Sequence, residues 1–261
     1  MNLFDLTGKT ALITGATHGL GMAMAKALGQ AGANIVINGH SSQEKIDNAI
    51  KEYAEAGIEV KGYLFDVTKE EQVKEYVKKI ENEVAPIDIL VNNAGIIKRI
   101  PMTEMSVAEW EEVVRTDLTS PFIMSKAIVP GMIERKSGKI INVCSMMSEL
   151  GRETVAAYAA AKGGLKMLTQ SMATEWAKHN IQVNGIGPGY FATSQTAPLR
   201  VPGNSFNEFI ISRTPAGRWG DPDELGGPIV FLSSEAGDFV NGQVLYVDGG
   251  ILATLGKAQG E

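Results

Sequence analysis

Residues 14–21 read T-G-A-T-H-G-L-G and follow directly on the apolar run T-A-L-I-T at Thr10–Thr14. A buried strand passes here into a glycine-rich turn, and a helical pattern over Leu20–Ala31 follows. Glycines at 15, 19 and 21 permit a tight turn and close backbone approach to a pyrophosphate, which would sit at the positive end of that helix. The spacing is G-x-x-x-G-x-G, not the commoner G-x-G-x-x-G, and a glycine-rich turn without a ligand is the plainer alternative.

The same alternation continues along the chain. Strands are expected at Asn34–Asn38, Val60–Phe65, Asp88–Asn92, Lys139–Cys144, Gln182–Ile186 and Gln243–Val247. Most are apolar runs without polar alternation, as parallel strands covered on both faces should be. Helical patterns fall at Gln43–Ala56, Lys69–Val84, Leu118–Glu134, Ala156–Lys178 and Pro222–Ser233. The expected architecture is therefore α/β, a single-domain Rossmann-type doubly wound parallel sheet of about seven strands flanked by helices. No linker or repeat divides residues 1–261. One long irregular stretch, 187–220, has the length and Gly/Pro content of a binding loop or lid.

Composition excludes several classes. A net charge of −6 and the lack of any Lys/Arg run argue against a nucleic-acid partner. No apolar stretch approaches a membrane span, and the opening M-N-L-F-D-L-T-G-K lacks a signal peptide's pattern. The lone Cys144 fits a reducing, cytoplasmic setting. His18, His40 and His179 have no ligand spacing, so no metal site is expected.

Tyr158 and Lys162 stand at i, i+4 on one face of the Ala156–Lys178 helix, with Ser145 upstream. Free tyrosine has a pKa of about 10, so roughly one copy in a thousand is ionised at pH 7. A nearby ammonium favours the phenolate, and a serine hydroxyl can hold the oxygen of a reacting carbonyl or alcohol. Taken alone, the pair could equally be a half-buried ring beside a solvated lysine.

Together these motifs resemble the short-chain dehydrogenase/reductase family over essentially the whole chain. T-G-x-x-x-G-x-G falls on Thr14–Gly21, N-N-A-G on Asn92–Gly95, the serine, tyrosine and lysine on Ser145, Tyr158 and Lys162, and the P-G turn on Pro188–Gly189. The resemblance implies Tyr158 as general acid/base, Lys162 holding the nicotinamide ribose, and Ser145 orienting the substrate oxygen. It further implies cofactor contacts from Gly15, Thr17, His18, Gly19, Leu20 and Gly21, and from Asp66 and Val67 beside the adenine. Asn93, Ala94, Gly95, Phe191 and Thr193 would complete the cleft. Asp66 could instead cap a helix with Thr68, and N-N-A-G could brace the sheet. One position departs from the pattern: Asp117 replaces the usual asparagine of the proton relay, acting through either its main chain or its carboxylate. A homotetramer is the family's usual assembly, through the helices Leu118–Glu134 and Ala156–Lys178 and the strand Gln243–Val247.

Cofactor choice follows from the end of the second strand. An NAD site usually carries an acid there, bonded to the ribose 2′-hydroxyl. This chain reads N-G-H-S-S, so Gly39, His40 and Ser41 present no carboxylate to repel a 2′-phosphate. NADP(H) is expected, with NAD(H) usable.

The segments N-V-C-S-M-M-S-E-L-G-R-E-T-V and G-P-G-Y-F-A-T-S-Q-T-A-P-L-R resemble the gluconate 5-dehydrogenase branch, which interconverts D-gluconate and 5-keto-D-gluconate. A sugar-acid substrate needs a cation for its carboxylate. Arg99 is the first candidate and Arg152 the second, and Glu149 could accept hydroxyl bonds. Each could also be a solvated loop charge. Alternatives are a 2-keto-3-deoxygluconate dehydrogenase, a 3-oxoacyl-thioester reductase and a non-catalytic NADP-binding module.

Overall fold

The computed structural model describes residues 2–256. Strands β1 (Thr10–Ile13), β2 (Asn34–Gly39), β3 (Val60–Leu64), β4 (Ile89–Asn92), β5 (Gly138–Val143), β6 (Ile181–Pro188) and β7 (Val244–Val247) form one sheet in the order 3-2-1-4-5-6-7. Every neighbouring pair is parallel. Strand period then fixes two cores. Ala11, Ile13, Ile35, Ile37, Ile89, Val91 and Ile141 point to one face, and Leu12, Val36, Leu90 and Ile140 to the other.

The first face is covered by α1 (Gly19–Gln30), α2 (Gln43–Glu55) and α8 (Gly226–Ser233), through Leu28, Tyr53 and Ile229. The second is covered by α3 (Glu70–Glu83), α5 (Ser120–Arg135) and α6 (Ala156–Trp176), through Val77, Met124 and Met172. Strand order reverses between β1 and β4, so their carboxyl ends open a crevice at the switch point, where such sheets bind ligands. No helix among the described residues is long and apolar enough to cross a membrane.

Two helices lie outside the sequence-based expectations. The first, α4 (Val107–Val114), starts at a capping box in which Ser106 and Glu109 bond each other's backbone N–H. It runs through a π-helical turn, Arg115–Thr119, into α5. The second, α7 (Ser205–Arg213), is capped by Asn204 and lies inside the stretch expected to be irregular. The expected helix Pro222–Ser233 begins as a 3₁₀ turn, Pro222–Leu225, before α8. The tail 257–261 lies outside the described residues.

Candidate active site

The glycine turn opens on the β1–β4 crevice. Gly15 and Gly19 have φ of +63° and +60°, in the left-handed region that favours glycine. At Gly21 the constraint is space. A Cβ there would run into Asn93 Nδ2 and stand 2.8 Å from the Gly15 carbonyl oxygen. The N-cap of α1, His18, makes no side-chain cap bond, and the first turn holds no acid. Its leading N–H groups are thus free for an anion, which is what a pyrophosphate site requires. Leu20 follows in that first turn.

The N-N-A-G segment both braces the sheet and borders the crevice. Thr14 Oγ1 accepts the N–H groups of Asn93 and Ala94, each at 3.0 Å, and Asn93 Nδ2 donates to the carbonyls of Thr14 and Gly15. Asn92 is buried deeper, donating to Asn142 Oδ1 at 2.8 Å.

At the end of β2, a Cβ on Gly39 would lie 2.8 Å from Thr17 Cγ2, so these residues meet at the crevice edge. Exposed His40 lines an open cleft of about 500 Å³ with Leu64, Asp66 and Gln72. Ser41 is exposed beside it, whereas Ser42 serves as the cap of α2. Asp66 accepts from the backbone and hydroxyl of Thr68 at 2.8 and 2.7 Å, a turn that precedes α3. The cap residue of that helix is Lys69. Burial pulls the Asp66 carboxyl up, but the Thr68 bonds and the nearby His40 outweigh it and leave it below the usual range. Neighbouring Val67 is buried in the core.

The chemical centre is built from three elements. Strand β5 delivers Ser145, whose Oγ accepts the Met147 N–H at 3.1 Å. That bond uses a lone pair and leaves the hydroxyl proton free to donate. Helix α6 carries Tyr158 and Lys162 one turn apart, with Nζ 5.5 Å from the tyrosine ring centroid. Lys162 is 4% exposed and donates to the Val143 carbonyl at 2.8 Å. The π-helical turn supplies Asp117, which is fully buried. Its Oδ1 accepts the Ile96 N–H at 2.8 Å, and its Oδ2 lies 3.3 Å from Lys162 Nζ. Gly95 packs directly on this carboxylate, with room for no Cβ.

Burial pushes Asp117 above the ordinary carboxylate range, against the pull of Lys162 and the Ile96 N–H. Burial pulls Lys162 down, but Asp117, with Tyr158 and Cys144, more than offsets it and leaves the ammonium above its usual value. Cys144 is pushed up to about 11 by burial and stays a thiol.

Substrate candidates fall on two loops that the Ile100 N–H ties together by bonding the Thr154 carbonyl at 2.8 Å. Thr154 adopts φ +65°, a costly conformation for a β-branched residue and one often found at functional sites. Exposed Arg99 stands on one loop and half-buried Arg152 on the other. Arg152 Nη1 donates to the Tyr190 hydroxyl at 3.4 Å. Burial raises the Tyr190 phenol above its ordinary value, while the fields of Arg152 and Arg99 oppose that rise. Tyr190 also packs with Tyr158 on Met146, Met147 and Ile251, which joins the arginines to the wall that carries Tyr158.

Two expected residues also make contacts within the protein. Glu149 is exposed, and its Oε1 accepts from Lys166 Nζ and the Tyr246 hydroxyl, both at 2.5 Å, which leaves Oε2 as its remaining acceptor. Phe191 has its ring buried in the core against Gly220. Pro188 ends β6, and Gly189 donates to the Val247 carbonyl at 2.9 Å. Thr193 caps a 3₁₀ turn, and its methyl would stand 3.9 Å from a Cβ on Gly19, so this turn approaches the glycine turn. Gln195 Nε2 lies 3.0 Å from His18 Nε2 across the same gap. Tyr190 was missed at the sequence level, although it stands in the quoted G-P-G-Y-F segment.

Comparison with known proteins agrees with this geometry. Residues 9–202 match the short chain dehydrogenase family. A 2-dehydro-3-deoxy-D-gluconate 5-dehydrogenase from Formosa agariphila is 70% identical over 100% of this chain and 99% of its own. The solved structure of 2-keto-3-deoxy-D-gluconate dehydrogenase from Streptococcus agalactiae is 58% identical, with a TM-score of 0.85 over 97% of this chain and 96% of that one. A gluconate 5-dehydrogenase from Burkholderia cenocepacia, solved with NADP and tartrate, is 44% identical, with a TM-score of 0.92 over 97% and 99%.

Proposed function

This chain belongs to the short-chain dehydrogenase family, and from that membership we propose that it transfers a hydride at C5 of a six-carbon sugar acid, 2-dehydro-3-deoxy-D-gluconate being the favoured substrate and NADP(H) the favoured cofactor. One observation carries the reading: two arginine-bearing loops tied at Ile100–Thr154 converge on Tyr190, which packs beside Tyr158. An anion site and a proton-handling phenol thus flank one crevice, as a hydroxy acid requires.

The bound dinucleotide supplies or accepts the hydride. In oxidation Tyr158 takes the C5 hydroxyl proton, and in reduction it returns one to the carbonyl oxygen. Ser145 holds that oxygen through its free O–H. Lys162 places positive charge beside the phenol, and Asp117 and the Val143 carbonyl fix the position of the ammonium. Uncapped α1 and the left-handed glycine turn before it, at Gly15 and Gly19, fit the cofactor's pyrophosphate. The carboxylate-free end of β2 suits a 2′-phosphate, in keeping with NADP in the Burkholderia relative.

The 3-deoxy substrate is favoured over D-gluconate by what lines the site. Met146, Met147, Ile251 and Leu252 make the wall beside Tyr158 apolar, and Glu149 already holds Lys166 and Tyr246 through Oε1. That wall suits a methylene and offers little to extra hydroxyls. The names of the Formosa and Streptococcus relatives point the same way. Interconversion of 5-keto-D-gluconate and D-gluconate, the activity named for the Burkholderia relative, is the second reading and uses the same C5 chemistry.

Initial rates of NADP⁺ and NAD⁺ reduction with 2-dehydro-3-deoxy-D-gluconate and with D-gluconate test both choices. We expect the deoxy acid to exceed D-gluconate in kcat/KM by about tenfold or more, and NADP⁺ to exceed NAD⁺. Equal efficiency with D-gluconate would return the second reading. A preference for NAD⁺ of more than about tenfold would remove the cofactor argument from Gly39 and His40.

We further infer a tetramer in the cytoplasm. Phe122 on α5, Met167 on α6 and Leu245 on β7 are large apolar residues left exposed on the elements expected to pair. Light scattering of the purified protein should give four chain masses, and a monomer peak at micromolar concentration would exclude this assembly.

A further inference from the structure

We propose that the lid helix α7 sets the grip on the substrate carboxylate through Arg152, with Phe206 as the positioning residue. This rests on the reading above that a carboxylate binds between the Arg99 and Arg152 loops. The guanidinium carbon of Arg152 lies over the Phe206 ring, 5.1 Å from its centroid. An aromatic face holds a guanidinium by its plane and leaves the rim of N–H donors free. One of those donors is taken by the Tyr190 hydroxyl, and the rest are available for a planar bidentate partner.

The clamp is itself supported. Tyr190 meets Phe206 edge-on at 5.8 Å and Trp219 at 5.6 Å. Trp219 Nε1 donates to Asn207 Oδ1 at 2.8 Å, and Asn204 Oδ1 accepts the Phe206 N–H at 2.9 Å, which fixes the start of α7. Arg152 alone on its loop would sweep many rotamers. Held between the lid and the P-G-Y turn, it presents one geometry, and ordering the lid orders the anion site with it.

The test is a binding cycle on dead-end complexes. NADPH-loaded enzyme is titrated calorimetrically with 2-dehydro-3-deoxy-D-gluconate and with D-gluconate, alcohols that NADPH cannot oxidise. Phe206→Ala should weaken acid binding roughly tenfold and leave NADPH binding unchanged. Phe206→Tyr should bind as the native protein does, while Phe206→Leu, which keeps bulk without a π face, should stay weak. Combined with Arg152→Ala, Phe206→Ala should add little, because it acts through that arginine. Additive losses, full recovery by leucine, or an equal loss of NADPH affinity would each overturn the clamp. Native enzyme that binds these acids yet turns over neither would refute the proposed activity and leave the clamp to be judged by the cycle. Failure of the native enzyme to bind either acid would remove the clamp as well.

Discussion

Tyr158→Phe is expected to lower kcat by about 10²–10⁴ in both directions, the usual worth of a positioned acid/base. Only the phenolic oxygen is lost. The ring keeps its packing on Met146, Met147 and Ile251, and the Lys162–Asp117 pair is untouched. The thermal midpoint and the affinity for NADP(H) should therefore stay near native values, which separates a chemical loss from a folding one. Tyr190 is a second phenol packed on the same cluster as Tyr158, so Tyr190→Phe is the matched control. Its bond to Arg152 ties it to the proposed carboxylate site, so its loss should appear mainly in KM. A Tyr158→Phe enzyme with more than about a tenth of native turnover would move the acid/base role elsewhere. In native enzyme, the oxidative rate should rise with pH and the reductive rate fall, because one direction needs a base and the other an acid.

The proposed catalytic residues were legible because their chemistry is local in sequence. Tyr158 and Lys162 are one helical turn apart, and the glycine turn follows a strand that is apolar on both faces. The substrate end was less legible because its contacts are tertiary. Glu149 reads as a free acid until α6 and β7 bring Lys166 and Tyr246 to it. Phe206, Trp219 and Tyr190 lie far apart along the chain, and only the folded lid gathers them around Arg152. The helix α7 was hidden for a related reason: with Gly and Pro on either side and a single buried side chain, Ile210, it shows no strong helical stripe. By contrast, α4 carried a readable signal, the S-V-A-E capping box at 106–109, which the apolar periodicity alone overlooks.

Replacing Lys162 by methionine should cost about 3–5 kcal/mol of stability at neutral pH, because it strands a buried carboxylate. For a chain of this size that corresponds to a fall in Tm on the order of 10 °C. The cause is Asp117, which has no exposed surface and, beyond the Ile96 N–H, only the ammonium at 3.3 Å to balance its charge. The double variant Lys162→Met/Asp117→Asn should recover most of that loss, since the stranded charge is then gone. The pH dependence fixes the sign. Burial already holds the Asp117 pKa above its unfolded value near 3.8, so its protonated form favours the fold, and that stability is lost as pH rises through the folded pKa. Without Lys162 the folded pKa climbs further. The deficit of Lys162→Met against native protein should thus be small near pH 4 and grow towards pH 8. In native protein the opposite partner sets the alkaline limit. Lys162 is held above its unfolded value near 10.5, so its contribution is complete below that pH and lost above it. Thermal melts of the three proteins across this range decide the matter. A deficit that is flat with pH would mean that Asp117 is not charged in the fold. The family position usually held by a neutral asparagine would then be neutral here too, and Asp117 would serve the site as a hydrogen-bonding group alone.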